Sequence, residues 1–112
     1  MAANWVIDGN NVMGSRPDGW WRDRAGAMQR LVDQIDALVE RTGDTATVVF
    51  DGPDRALHAT RIHVGYAPHA DDEIVTRADA SSIVVTSDRE LVGRVRAKGA
   101  RVEGARSFLD RL

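Results

Sequence analysis

Three aspartates of this sequence each stand at the end of a short apolar run. They are Asp8, Asp51 and Asp88, and the runs before them are Trp5-Val6-Ile7, Val48-Val49-Phe50 and Ile83-Val84-Val85-Thr86-Ser87. Such runs are typical of buried β-strands. If the strands are parallel, their carboxyl ends lie at one edge of the sheet, where open α/β proteins bind ligands. The pattern therefore predicts that three carboxyl groups from distant parts of the sequence meet at this edge.

A further acidic group, Asp71-Asp72-Glu73, stands at a predicted helix start and is expected to join them. Several carboxylates in one place are costly unless a cation neutralises them. Mg²⁺ and Mn²⁺ take such oxygen ligands, and they can activate water and polarise a phosphodiester. The alternative for each acid is that it caps a turn or a helix, and for Asp51, which is followed by Gly-Pro, turn formation is the favoured interpretation. Asp8 is followed by Gly9-Asn10-Asn11, whose amides can reach a metal, a water or a neighbouring carboxylate.

The elements that must position these acids alternate between strands and helices. Asp23 is the predicted N-cap of a long helix that Gly43 ends, and residues 9–11 are predicted to form a turn. The third strand is brief and flanked by polar residues, so we expect it to lie outside the second. The alternation predicts a parallel sheet with helices on both faces. We predict strands at about residues 4–7, 46–50, 62–64, 82–86 and 100–103, and helices over about 24–42, 71–78, 89–98 and 105–110.

Composition limits the classes of protein that this chain can be. Its 112 residues suffice for one core, and we expect a single domain over residues 1–112. No apolar run approaches the ~20 residues of a membrane span, and no secretory signal is recognisable, so we expect a cytoplasmic protein. The absence of cysteine excludes disulfides and thiolate metal sites. The net charge of −2 excludes a polybasic nucleic-acid binder on bulk charge.

Four short motifs, taken in order, resemble those of NYN domains. They are Asp8-Gly9-Asn10-Asn11-Val12, Val49-Phe50-Asp51-Gly52, Ala70-Asp71-Asp72-Glu73-Ile74 and Val85-Thr86-Ser87-Asp88. The sequence is most similar to the bacterial YacP-like branch, within the PIN-like nuclease superfamily, and the resemblance covers nearly the whole chain. The first motif alone is moderately specific, and the ordered set is a fairly strong signal.

The resemblance implies a three-layer PIN-like fold, with a central parallel sheet of about five strands, helices on both faces and an acidic pocket at the carboxyl edge. It also implies an endoribonuclease that depends on Mg²⁺ or Mn²⁺ and hydrolyses RNA phosphodiesters, leaving a 5′-phosphate and a 3′-hydroxyl. By their places in the motifs, the metal-binding and catalytic acids would be Asp8, Asp71, Asp72 and Asp88. Asn11 matches the amide of the first motif, and Asp51 matches a less central acid of the family. Both are expected to hold the metal ligands in place without binding the metal themselves.

RNA substrates need basic and aromatic side chains near the acids. Arg55, Arg61 and Arg89 are expected near the acidic edge, where a guanidinium can hold a phosphate. Trp20 and Trp21 follow a loop near the same edge, and Trp20 is our candidate to stack on a base. The alternatives are solvation for the arginines and burial in the core for at least one tryptophan.

The chain is short for the YacP-like branch, and its segment after Asp51 is compact. A ribosome, a structured RNA or a second subunit is therefore expected to complete the RNA-binding surface. One alternative function remains open, that of a catalytically silent RNA- or protein-binding module with the same fold. A phosphotransfer enzyme or phosphate-receiving regulator fits less well. A phosphatase needs a second acid where Asn10 stands, and a receiver needs a lysine after the last strand, whereas Lys98 precedes it.

Overall fold

The computed structural model describes residues 2–112 and is built on a five-stranded sheet in the order β3-β2-β1-β4-β5. Each pair of neighbouring strands is parallel. The strands are β1 (Asn4–Asp8), β2 (Thr45–Asp51), β3 (His63–Ala67), β4 (Ser82–Val85) and β5 (Arg101–Glu103). The helices are α1 (Gly9–Gly14), α2 (Arg24–Thr42), α3 (Ala70–Arg77), α4 (Arg89–Arg96) and α5 (Ala105–Leu109), with a 3₁₀ turn at Trp20–Arg22.

Strand β1 is the centre of the sheet and sets the register of both neighbours. Asp8 is level with Val49 of β2, and Ile7 is level with Val85 of β4. Because all three strands run in one direction, Asp8, Asp51 and Asp88 leave the sheet at the same edge.

The two faces of the sheet carry separate hydrophobic cores, because successive strand residues point to opposite sides. Ile7 belongs to the core that is shared with α1, α2 and α5. Its neighbour Val6 belongs to the core that is shared with α3 and α4. Helices thus cover both faces, which confirms the predicted fold class.

The predicted start and end of α2 are confirmed, and so is the start of α4 after Asp88. Asp23 caps α2 by accepting a hydrogen bond from the backbone N–H of Gly26 at 3.0 Å. Gly43 ends α2 in the left-handed region with φ of 76°, a conformation that glycine adopts without strain. Asp88 caps α4 through the backbone N–H groups of its first turn. No helix within residues 2–112 has both the length and the apolar character needed to cross a membrane.

Two local predictions differ from the structure. Residues 9–11 open a helix, α1, rather than a turn, because Asp8 caps it and because Val12 and Met13 are buried against the core at 0% and 2% exposure. The third strand begins and ends later than predicted, because its pairing with β2 continues to Asp51. Its place at the edge of the sheet, outside β2, is as predicted.

Candidate active site

Asp8 is the half-buried centre of the carboxyl edge. Its Oδ2 accepts a hydrogen bond from the Thr86 hydroxyl at 2.9 Å. Its Oδ1 accepts a longer one, of 3.4 Å, from the backbone N–H of Asn11. Thr86 is 1% exposed at the end of β4, so the neighbouring strand fixes one oxygen of Asp8 from inside the protein. The carboxylate is therefore held in one orientation.

The surroundings of Asp8 disfavour its charge. Burial raises the pKa of the Asp8 carboxyl above its ordinary value, while the hydrogen bonds from Thr86 and Asn11 oppose the shift. The nearby carboxylates of Asp51 and Asp88 raise the pKa further. These three acids therefore act on one another electrostatically, and the protein only partly compensates the charge of Asp8.

Two consecutive asparagines connect β1 to the strand ends on either side. The side-chain oxygen of Asn10 accepts a hydrogen bond from the backbone N–H of Asp51 at 2.8 Å. The side-chain oxygen of Asn11 accepts one from the backbone N–H of Ser87, also at 2.8 Å. Each amide therefore positions the backbone beside one of the other two aspartates. Asn11 thus holds the backbone next to Asp88, and Asn10 makes the equivalent bond on the other side; the expected support of a metal site by Asn11 stays a prediction.

Asp51 and Asp88 also organise the starts of the following helices. Asp51 Oδ1 accepts from the backbone N–H of Ala70 at 2.8 Å and so ties the start of α3 to the end of β2. Asp88 Oδ1 accepts from the backbone N–H groups of Glu90 and Leu91 at 2.9 and 3.1 Å. Both aspartates use only Oδ1 in these bonds. The capping alternative thus describes Asp88 correctly, whereas Asp51 bonds to a helix start 19 residues away rather than within its own turn. Neither bond removes these acids from the group around Asp8.

Asp71 and Asp72 lie in the first turn of α3 and face an arginine of the next helix. Arg94 Nη2 is 2.8 Å from Asp72 Oδ1, and Arg94 Nη1 is 3.5 Å from Asp71 Oδ2. The two carboxylates are 53% and 64% exposed. Their expected role as metal ligands beside Asp8 stays a prediction, and in this arrangement Arg94 already neutralises part of their charge. Sequence reasoning missed the pairing of Arg94 with these acids, because no local signal links α3 and α4, which are separated in sequence by β4.

The donor chemistry of this edge suits a hard divalent cation. The carboxylates of Asp8, Asp51 and Asp88 are oxygen donors of the kind that Mg²⁺ and Mn²⁺ prefer. Within residues 2–112, no three carboxylate or imidazole groups lie close enough together to hold an ion directly. A cation at this edge would therefore have to keep several waters and take only one or two carboxylates, as Mg²⁺ usually does.

The predicted RNA contacts divide between the two edges of the sheet. Arg89 directly follows Asp88 at the start of α4, and Arg55 lies in the exposed loop after β2. The expectation that Arg61 lies near the acids is wrong. It precedes the amino end of β3, at the opposite edge, and its Nη2 is 3.5 Å from Glu40 Oε1.

The two adjacent tryptophans have different surroundings. Trp20 is partly buried against the core, whereas Trp21 is 58% exposed. The two rings meet edge to face, with centroids 5.9 Å apart. The prediction that at least one tryptophan contributes to the core is confirmed, and the exposed ring is that of Trp21 rather than that of the predicted RNA contact Trp20.

Comparisons of sequence place the chain near two proteins of similar name. It is 34% identical over 94 residues to a UPF0178 protein of Vibrio campbellii, an alignment that covers 80% of this chain and 63% of the relative. It is 33% identical, with the same coverage, to a UPF0178 protein of Vibrio parahaemolyticus. The chain thus spans less than two thirds of the length of these relatives. No model of a known protein family matches the chain.

Comparisons of structure match nearly the whole chain to a solved protein. A mutant of Rae1 (YacP) from Bacillus subtilis superposes with a TM-score of 0.83 at 25% identity, over 96% of this chain and 73% of that protein. A second Rae1 (YacP) structure superposes with a TM-score of 0.79 at 22% identity, over 98% of this chain and 72% of that protein. The chain therefore shares the fold of Rae1 (YacP).

Proposed function

We propose that this chain is a divalent-metal-dependent endoribonuclease that hydrolyses RNA phosphodiesters at the edge occupied by Asp8, Asp51 and Asp88. The observation that carries the proposal is the half-buried Asp8 carboxyl, whose pKa is raised by burial and by the other two acids. Burial and the two neighbouring carboxylates make the charge of Asp8 costly to the fold, and such a perturbed carboxyl group is typical of functional sites. The shared fold of Rae1 (YacP) and the ordered motifs support the same conclusion.

In this proposal the side chains have separate tasks. Asp8 and Asp88 hold the cation, and Thr86 keeps one oxygen of Asp8 in place. Asn11 fixes the backbone beside Asp88 through Ser87. Arg89 lies next to Asp88 and contacts the RNA phosphate. A bound Mg²⁺ or Mn²⁺ supplies an activated water and stabilises the charge that develops on the phosphodiester.

A catalytically silent binding module is the second candidate, and the pairing of Arg94 with Asp71 and Asp72 favours it. Two of the four expected metal ligands share one guanidinium, which neutralises part of their charge. A chain that had abandoned catalysis could keep these acids as part of an ion-pair network. Such a protein would bind RNA or a protein partner without cleaving it.

Cleavage of RNA separates the two candidates. A panel of end-labelled RNAs is incubated with the protein and Mn²⁺, with and without EDTA. We expect cleavage by the wild type, none in EDTA, and a loss of roughly 100-fold or more for Asp8→Asn, because that substitution removes the central charged ligand. New 5′-phosphate and 3′-hydroxyl ends identify hydrolysis by water.

The matched control is Asp33→Asn, which removes one exposed carboxylate from α2, a helix that carries none of the candidate site residues. It is expected to cleave as the wild type does. Equal cleavage by Asp8→Asn would assign the activity to another site or to a contaminant. Binding of the same RNAs without cleavage would favour the silent module.

A further inference from the structure

A cleft of about 450 Å³ at the far end of α1 is not used by the predicted function. It runs between the end of α1 and the helix α5. Its walls are formed by Ser15, Arg16, Pro17, Arg106, Leu109 and Asp110. The lining combines an apolar floor with two guanidinium groups and one carboxylate.

Both walls of the cleft are anchored on the candidate active site. Helix α1 starts directly after Asp8, and Ser15 closes its far end by donating to the Asn11 carbonyl at 2.8 Å. Helix α5 begins where the backbone N–H of Ala105 donates to the Ser87 hydroxyl at 2.9 Å. Ser87 is also the residue whose N–H is held by the Asn11 side chain. A six-residue helix is about 9 Å long, so the cleft lies roughly one or two nucleotides from the acids.

The two arginines of the cleft offer uncompensated positive charge. Arg16 is half-buried and directed by a hydrogen bond of 2.6 Å from its Nη2 to Gln34 Oε1, a neutral partner. Arg106 is exposed. In the described part of the chain, neither guanidinium lies within 4.0 Å of a carboxylate, in contrast to Arg61, Arg77, Arg94 and Arg111. Asp110 offsets part of this charge, which leaves the cleft net positive.

An exposed aromatic ring continues the same surface. The side chain of Trp20 lies against the end of α1 near Gly14, and Trp21 meets Trp20 edge to face. Trp21 is the one large apolar side chain of residues 2–112 that is strongly exposed, at 58%. The guanidinium of Arg22 lies 5.9 Å from its ring centroid, so the ring has a cationic neighbour. An exposed ring beside arginines suits a nucleobase, whose π-face can stack on it.

We call the surface formed by the cleft and the neighbouring ring of Trp21 the α1–α5 cleft. We propose that it binds the single-stranded RNA that flanks the scissile bond. Arg16 and Arg106 contact backbone phosphates, and Trp21 stacks on a base. The choice of RNA rests on the proposed function. The cleft itself is recognised by its charge, its aromatic ring and its walls, which are anchored on the candidate active site.

The test is RNA binding without cleavage. A fluorescein-labelled dodecamer of uridine is titrated with the protein in EDTA, and the dissociation constant is measured by anisotropy at several salt concentrations. The pair Arg16→Gln/Arg106→Gln is expected to weaken binding at low salt and to reduce the steepness of the log–log salt dependence by about 1.4, because two phosphate contacts are lost. Trp21→Ala is expected to weaken binding about 5-fold or more with the salt dependence unchanged, and Trp21→Phe to restore most of it.

The control pair is Arg41→Gln/Arg101→Gln, which removes the same charge from exposed positions near the amino edge of the sheet. It is expected to keep the salt dependence of the wild type. Melting temperatures verify that each variant is folded. If both arginine pairs behave alike, or if the wild type does not bind the dodecamer at low salt, the cleft is not the RNA site.

The outcomes for the cleft and for the nuclease are distinguishable. Normal binding by the cleft variants together with cleavage that depends on Asp8 would remove the cleft proposal and keep the nuclease. Binding that depends on the cleft, with no cleavage by any protein, would keep the cleft and leave the silent RNA-binding module as the function.

Discussion

At the scale of single residues, Asp8 is a carboxylate whose charge is costly to bury and which is placed where it can bind a cation. It is half-buried, it lies near two other carboxylates, and its pKa is raised first by burial. Thr86 and Asn11 orient it without neutralising it. The result is a carboxylate that is held in place and still available to a cation.

The pH dependence of stability follows from the raised pKa of Asp8. A carboxyl whose pKa is higher in the folded state than in the unfolded state binds its proton more tightly when folded, so ionisation lowers the free energy of unfolding. The loss in the free energy of unfolding begins near pH 3.8, the ordinary pKa of the carboxyl group, and is complete above its pKa in the folded state. Asp8→Asn is therefore expected to raise the melting temperature by a few degrees at pH 7. The gain should disappear below pH ~3, in thermal melts followed by circular dichroism. Asp33→Asn serves as the control, and a destabilised Asp8→Asn at pH 7 would contradict the assignment.

Arg94 is the residue whose substitution reports on Asp71 and Asp72. Both of its ion pairs are exposed, so Arg94→Gln is expected to change the free energy of unfolding very little. It also removes a positive charge that competes with a cation for two carboxylates. We expect Mn²⁺ to stabilise this variant at lower concentrations than the wild type, as measured by melting temperature against metal concentration. Arg101→Gln controls for net charge, and identical titrations for Arg94→Gln and Arg101→Gln would exclude Asp71 and Asp72 as ligands.

At the scale of elements, the junction between β1 and α1 does most to assemble the site. Gly9 lets the chain pass close to β2, since a Cβ atom there would lie 2.5 Å from Phe50 Cε1. The next two residues, Asn10 and Asn11, then bond to the strand ends on either side. The four residues from Asp8 to Asn11 thus supply an acid, a close approach and two connections.

Gly9→Ala tests this close approach. The added methyl group must displace a fully buried aromatic ring, so we expect a loss of about 1–3 kcal/mol in the free energy of unfolding, measured by urea denaturation. Gly93→Ala in α4 is the matched control, because nothing lies within 4 Å of its added Cβ. That variant is expected to gain up to about 1 kcal/mol from helix propensity. Equal stability of the two variants would show that the ring at β2 gives way.

At the scale of the whole molecule, the strand order decides which acids meet. With β1 between β2 and β4, the carboxyl ends of all three strands surround Asp8. The end of β2 and the segment that follows β4 each bring one acid and one backbone N–H that an asparagine of α1 holds. The candidate site is thus a property of the sheet rather than of any one loop.

Metal binding should therefore stabilise the whole fold. A ligand that binds only the folded state raises its stability by mass action, by about 2.7 kcal/mol at 100 times the dissociation constant. We expect millimolar Mg²⁺ or Mn²⁺ to raise the melting temperature of the wild type and to have little effect on Asp8→Asn. The titration is monitored by differential scanning fluorimetry, with Asp33→Asn as the control. A flat curve for the wild type would count against a preformed cation site.

Much of this protein is encoded locally. Apolar runs of Val, Ile and Phe specify the strands, and side-chain caps such as Asp23 and Asp88 specify where helices begin. These signals act over a few residues, so the sequence by itself determined the element order, the parallel sheet and the shared edge of Asp8, Asp51 and Asp88. The same local rules missed α1, because its stability comes from burying Val12 and Met13 in a core made by distant segments.

The partners of the site residues were decided only by the tertiary structure. Thr86 bonds to Asp8 across 78 positions, Asn11 to Ser87 across 76, and Arg94 to Asp72 across 22. Which of two adjacent tryptophans is exposed, and at which edge Arg61 lies, depends likewise on how the elements pack. Residue types and spacing identify the groups that can do chemistry, but the directions of their side chains are set by contacts between segments that are remote in sequence.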